Sequence, residues 1–255
     1  MDPATLIGIG LGFLVIIVAN MMEGGSPTSL LLFPPLLLVF GTTILVTVAG
    51  GTVADAKNAL SSFKRALTGK AQTSADVLPI VVSLAEQARR DGLLVLEDSL
   101  REIDDPFLVK GIMMAVDGTD SEELREILES ELYAKRAADK HGAKFFFDMG
   151  AYAPTIGIIG TVMGLVHVLE NLTEPEKLGH LIAAAFLATL WGVTSANLIW
   201  LPIGSRLKRL GELEAARMEL VIEGVMAIQA GNSPRVIAQK LRSLLPAGQQ
   251  DEEAA

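Results

Sequence analysis

Four long apolar runs constrain this chain more than any other feature. They cover residues 5–22, 30–49, 145–169 and 181–203. Each holds roughly the twenty residues that a helix needs to cross a bilayer's hydrocarbon at about 1.5 Å rise per residue. Backbone surrounded by lipid must satisfy its own hydrogen bonds, and a helix does so within one segment. The runs therefore predict four membrane helices. Short connectors rich in Gly, Pro and acidic residues join the first run to the second and the third to the fourth, so the spans pair as two hairpins. The chain is 255 residues long and 50% hydrophobic, values that a large soluble domain could also show. The clustering of the apolar residues, and not their total, decides for the membrane. The expected fold is all-α: a polytopic membrane protein with four transmembrane helices in two hairpins and a helical cytoplasmic domain. Its parts are a first hairpin at 1–54, a cytoplasmic helical domain at 55–144, a second hairpin at 145–204, and C-terminal helices with an acidic tail at 205–255.

Orientation follows from the basic residues near the span ends. Lys57, Lys64, Arg65 and Lys70 follow the second run, Lys135, Arg136, Lys140 and Lys144 precede the third, and Arg206, Lys208 and Arg209 follow the fourth. The short connectors carry only Lys177. By the positive-inside rule the middle segment and both termini are expected in the cytoplasm. The first run has no Lys or Arg ahead of it and no small-residue cleavage site, so it is expected to be a retained span and not a secretory signal. The net charge of −9 argues against nucleic acid as a partner, because that binding needs concentrated basic surface. Residues 55–144 hold 17 acidic and 13 basic side chains, a mixed surface suited to docking a protein. The absence of cysteine excludes disulfides and thiolate metal sites.

Between and beyond the runs the pattern is amphipathic. VLPIVVSLAEQARR, LLVLEDSLREI and PFLVKGIMMAV predict three helices. Thr119-Asp120-Ser121-Glu122 has the form of a capping box and opens a long helix that keeps its spacing into the third run. Ser233-Pro234 predicts the cap and first residue of a last helix, RVIAQKLRSLL. The tail QQDEEAA has a disordered composition. Gly8, Gly10 and Gly12 in the first run allow close helix approach, and Pro34 and Pro35 at the start of the second have no N–H to lose.

The hairpin spanning 151–206 carries the functional interest. Its connector is too short to hold a domain, so its arms lie antiparallel. Thr161 and Thr189 stand equally far from the turn, about 12 Å below it. Pro154 and Pro202 fall nearer the other end. An enzyme is not expected: His141, His167 and His180 lack metal-ligand spacing, and no nucleophile elbow, Walker or dinucleotide motif is present. Ion relays across membranes use intramembrane charges, yet the runs hold only Asp148 and His167, both near span ends. The hairpin instead offers the hydroxyls of Thr155, Thr161, Thr189, Thr194 and Ser195, with Asn197. These could line a polar path or each be satisfied by the carbonyl one turn back. In the cytoplasmic part, Arg89, Arg90, Asp91, Glu97 and Asp98 read from pattern alone as a solvated face.

Over nearly its whole length the chain resembles the A-type stator subunits of the bacterial flagellar motor, the MotA/PomA family. The resemblance rests on FPPLLLVFGTT, AEQARRDGLLVLE, APTIGIIGTVMGLVHVL, EPEKLGHLIAAAFLATLWGVTSANLIWLPI and AIQAGNSPRVIAQKL, in that order. It implies an inner-membrane homo-oligomer, a pentameric ring around helices of a B-type (MotB/PomB-like) subunit that supplies the ion-binding aspartate this chain lacks. It implies H+ or Na+ as the transported ion, with no permanently bound cofactor and no metal. It implies Thr161 and Thr189 lining the ion path, to which the hydroxyl of Thr155 in the same hairpin is added, and Pro154 and Pro202 as hinges coupling ion flow to torque. It also implies Arg89 and Glu97 at the interface with the rotor switch protein FliG, and the adjacent Arg90 is expected there with them. Threonine at both 161 and 189 resembles the sodium-driven branch, although the choice of ion stays open. Two alternatives are an ExbB/TolQ-like energiser of outer-membrane transport, which would have one N-terminal span, and a non-conducting membrane scaffold whose polar face is helix glue.

Overall fold

A computed structural model describes residues 4–70 and 73–245, and every regular element among them is helical. The principal helices are α1 (Ala4–Met22), α2 (Phe33–Ala49), α3 (Val53–Thr68), α4 (Ser74–Asp91), α5 (Pro106–Val116), α6 (Ser121–Glu170), α7 (Pro175–Gln229) and α8 (Pro234–Arg242). Residues 93–102 form short 3-10 and α turns. The chain divides into two compact units, Met1–Lys70 with Asp139–Arg209 and Ala71–Ala138 with Leu210–Ala255, to both of which α6 and α7 contribute. The tail residues 249–255, expected to be disordered, lie outside the described residues.

The first unit holds the four long apolar runs. Three are long and apolar enough to cross a membrane: α1, the C-terminal part of α6 and the N-terminal part of α7. The fourth apolar helix, α2, is shorter, with seventeen residues that span about 25 Å. It begins later than the apolar run because Pro34 and Pro35 have no N–H and so sit naturally in a first turn. Immediately after them, Leu37–Gly41 widens into a π turn. A second π turn, Ala196–Trp200, lies in α7 just before Pro202. The two meet through their aromatic residues, with the Phe40 and Trp200 rings 6.0 Å apart and nearly perpendicular. Small and aromatic side chains, among them Ala143, Phe146, Ala153, Ala196 and Trp200, fill the interior. The outward faces of these helices carry exposed Ile, Leu and Val, as lipid or neighbouring helices require.

The second unit has the larger apolar core. Along α4 the buried residues Val77, Leu78, Val81, Leu84 and Ala85 repeat at helical spacing and pack with Leu108, Ile112, Leu124, Leu128, Val221, Ile237 and Leu241. Asp105 caps α5 by accepting from the backbone N–H groups of Phe107 (3.0 Å) and Leu108 (3.2 Å). Its other oxygen pairs with the buried Arg217 guanidinium. Glu223 accepts from Arg125 at 2.9 Å and from Lys240 at 2.5 Å. Lys240 foremost, and Arg125 with it, hold the Glu223 carboxyl below its ordinary value.

Of the two caps expected from the sequence, Ser233 stands where expected and the other is displaced by one residue. Thr52 with Asp55, Thr73 with Asp76, and Ser233 with the Val236 N–H close the starts of α3, α4 and α8. The long helix α6 is capped by Asp120 and not by Thr119: the Asp120 carboxylate accepts from the Glu122 N–H at 2.9 Å. The Thr119 N–H is bonded to the Met114 carbonyl, closing the preceding turn, so Asp120 falls in the capping position.

Candidate functional site

The antiparallel arms of α6 and α7 meet along small residues. A Cβ built on Gly157 would lie 2.8 Å from the Ala188 carbonyl oxygen, one on Gly160 would lie 2.5 Å from the Ala188 Cβ, and one on Gly164 would lie 2.5 Å from the Ala185 Cβ. From the other side, a Cβ on Gly192 would lie 2.7 Å from the Ala153 carbonyl oxygen. Every added methyl would strike the facing helix, so backbone runs against backbone over two turns. This register determines what stands beside what.

Within it Thr161 and Thr189 come into contact, their hydroxyls hydrogen-bonded to each other. Thr161 also reaches the Ala185 carbonyl at 3.0 Å and the Gly157 carbonyl at 3.3 Å, and Thr189 reaches the same Gly157 carbonyl at 3.3 Å. Two hydroxyls have two protons to donate and share two carbonyls and each other as acceptors. With both protons so placed, lone pairs remain on the oxygens. The pair can therefore accept from a protonated group or help to coordinate a cation. From residue 156 to 166 and from 184 to 194 neither arm has an ionisable side chain. Asp148 lies lower on α6, paired with Lys144 at 2.5 Å.

The other hydroxyls are not gathered to this pair. Thr155 donates to the Tyr152 carbonyl at 2.7 Å, Ser195 to the Gly192 carbonyl at 3.2 Å, and Asn197 to the Val193 carbonyl at 2.9 Å, each within its own helix. Pro154 lies inside α6 and removes the N–H that would have served the Gly150 carbonyl. Pro202 lies inside α7 one turn after Leu198. Its ring crowds the Leu198 carbonyl, and the adjoining widened turn at Ala196–Trp200 takes up the irregularity.

Sequence reasoning missed Trp191. Its indole N–H donates to the Leu30 carbonyl at 2.7 Å, which ties the start of α2 to α7. In a continuing helix that carbonyl would accept from residue 34, which is proline. The available signal was the Pro34-Pro35 pair itself, which leaves carbonyls one turn back in need of a donor.

In the second unit the sequence-selected charges share one exposed segment. Arg89 donates to the Gly231 carbonyl at 2.9 Å, Arg90 pairs with the adjacent Asp91 at 2.8 Å, and Glu97 is exposed on the short helix that follows. Among the described residues no group of three or more His, Cys, Asp or Glu side chains could hold a metal ion.

Residues 99–220 match the model of the MotA/TolQ/ExbB proton channel family. Motility protein A of Bacillus subtilis (strain 168) is 37% identical over 248 residues, which are 97% of this chain and 92% of that protein. The chemotaxis protein PomA of Vibrio alginolyticus is 35% identical over 248 residues, 97% of each chain. Among solved structures, a chain of the flagellar MotAB stator complex from Bacillus subtilis superposes with a TM-score of 0.91 at 36% identity. The match covers 99% of this chain and 100% of that one.

Proposed function

This chain belongs to the MotA/TolQ/ExbB proton channel family as an A-type stator subunit of the bacterial flagellar motor, and from that premise we propose how its residues divide the work. The four apolar helices are four spans of the inner membrane, with residues 55–144 and both termini in the cytoplasm. The second hairpin (145–204) forms the wall of an ion path, and the first (1–54) braces it. Five copies surround the helices of a B-type subunit, which brings the ion-binding aspartate.

The observation that supports this reading best is the Thr161–Thr189 pair, two hydroxyls in a small-residue seam at a depth where neither arm has a charge. Such a site is half complete. A carboxylate from a partner helix would titrate there, and its neutralisation in low dielectric would change which A subunit it prefers and so advance the ring. Thr155, exposed one and a half turns below Thr161, extends the path. Hydroxyl oxygens suit a partly dehydrated Na+, while H+ needs the carboxylate alone. Pro154 and Pro202 let the two arms bend as the carboxylate changes state. Arg89, Arg90 and Glu97 meet the rotor switch protein FliG. An ExbB/TolQ-like energiser is the second reading, and α1 with α2 weighs against it because that family is expected to have a single N-terminal span.

The test is to express the chain with its B-type partner in cells lacking a stator. Swimming and ion flux that both require the partner's aspartate are expected, and dependence of speed on sodium at fixed pH identifies the ion. Absence of ion flux with an intact assembled complex would leave the scaffold reading.

A further inference from the structure

The end of α4 turns sharply. Gly92, at φ 89° and ψ 165°, occupies a conformation that a side chain resists, and the 3-10 turn Leu93–Val95 follows it. The next turns bury Leu96 at 0% exposure and Leu100 at 6%. That register turns Leu94 outward to 75% exposure and Val95 to 45%. Charges of both signs surround them. The Arg90 side chain is 73% exposed and pairs with Asp91, and Asp98 and Arg101, 86% and 79% exposed, pair at 3.4 Å. Such exposed pairs between chain neighbours cost little to open, so both signs are available to a partner. Arg89 is placed differently. Its guanidinium holds the carbonyl of Gly231, the left-handed residue (φ 71°) that caps α7, and so fixes the base of the surface.

We propose that Leu94 is the apolar centre of the rotor-docking surface, rimmed by Arg90, Asp98 and Arg101, and that it seats in an apolar socket on the rotor switch protein bordered by charges of both signs. This rests on the stator reading and adds an anchor to it. Interfaces draw most of their strength from a few buried side chains inside a rim that excludes water, and one leucine gives a contact weak enough to release at each step. The segment 89–102 carries four acids, Asp91, Glu97, Asp98 and Glu102, against three bases, Arg89, Arg90 and Arg101. An anionic lipid surface is a poor match for that balance, and a second copy of this chain would repeat the same surplus of acid. A partner with both signs and a small surplus of base complements it.

The test uses the full chain with its B-type partner in motile cells lacking a stator. Leu94→Asp is expected to assemble and conduct ions as the unaltered chain does, while swimming falls by about tenfold or more. Leu94→Met is expected to swim normally. A photo-crosslinking residue at position 94 is expected to capture the rotor switch protein, identified by mass. Normal swimming of Leu94→Asp, loss of its ion conduction, or crosslinks only to copies of this chain or to lipid would each overturn the proposal. If the unaltered chain neither conducts nor swims, the stator reading itself fails, which is a separate result.

Discussion

Gly157 and Gly192 face each other so closely that a Cβ added to Gly192 would lie 3.0 Å from the Gly157 Cα. No side chain separates α6 from α7 at this crossing. The hydroxyls of Thr161 and Thr189, one turn away on one arm and just short of one on the other, owe their contact to it.

Gly192→Ala must therefore push the helices apart. The added methyl meets only backbone atoms of α6, and backbone cannot rotate away as a side chain can. Overpacking of this kind costs about 1–3 kcal/mol. A lower melting temperature of the purified complex and loss of motility are expected. Gly179→Ala, which meets nothing within 4 Å, is the control that should leave both unchanged.

The two threonines should behave as a coupled unit. Thr161→Ala and Thr189→Ala each remove one end of the same hydrogen bond, so the double variant should lose less than the sum of the singles. A coupling of about 0.5–3 kcal/mol is the range for residues in direct contact. Thermal denaturation of the three variants measures it, and strict additivity would mean that the hydroxyls act independently.

Trp191→Phe isolates the indole N–H. The ring remains to pack near Phe13 and Phe40, whose centroids lie 6.3 Å and 6.1 Å from it, while the Leu30 carbonyl loses its donor. A net loss of about 0.5–1.5 kcal/mol is expected. Because the bond joins α2 to α7, hydrogen exchange should rise first at 27–33. Unchanged exchange there would mean that the bond restrains nothing.

How much of this was legible in the sequence depends on the range of the cause. Helix positions follow from local periodicity and caps, which is why α5 and the start of α8 agree with expectation. The equal depth of Thr161 and Thr189 was legible because a short connector fixes antiparallel register. The cap of α6 was misplaced by one residue, since Thr119 and Asp120 are both good caps and the closing of the previous turn chooses between them. The π turns and the Trp191–Leu30 bond were not legible. Each needs knowledge of which helix lies opposite, which periodicity in one segment does not contain.

Acid should weaken the second unit through Glu223. Its carboxyl is held below the ordinary value of 4.5, first by Lys240 and then by Arg125. A depressed carboxyl stabilises the fold fully above its unfolded value, and that contribution disappears as pH falls through the folded one. Glu223→Gln should therefore melt earlier than the unaltered chain at pH 7, with the difference closing as the pH drops below 4.5. A gap independent of pH would mean that packing, and not charge, makes the difference.

Replacing the prolines tests whether the hairpin moves as proposed. Pro154 interrupts α6 close to the seam, where its missing N–H leaves Gly150 without its helical donor, and a Cβ on Gly150 would already lie 2.5 Å from Leu201 Cδ2. Pro202 lies next to that leucine, just beyond the π turn of α7. The two irregular points thus adjoin each other across the hairpin, where the proposed bending of the arms would break the fewest hydrogen bonds. Leucine at either position restores an N–H and a regular i to i−4 bond, which favours a straight helix. Pro154→Leu and Pro202→Leu are expected to fold at least as stably as the unaltered chain and to assemble with the B-type subunit, yet to rotate the motor slowly or not at all. Tethered-cell rotation with a parallel assay of assembled complex measures both. If rotation persists in both variants at normal speed, the bends are features of packing, and the coupling of ion arrival to movement must lie elsewhere in the hairpin.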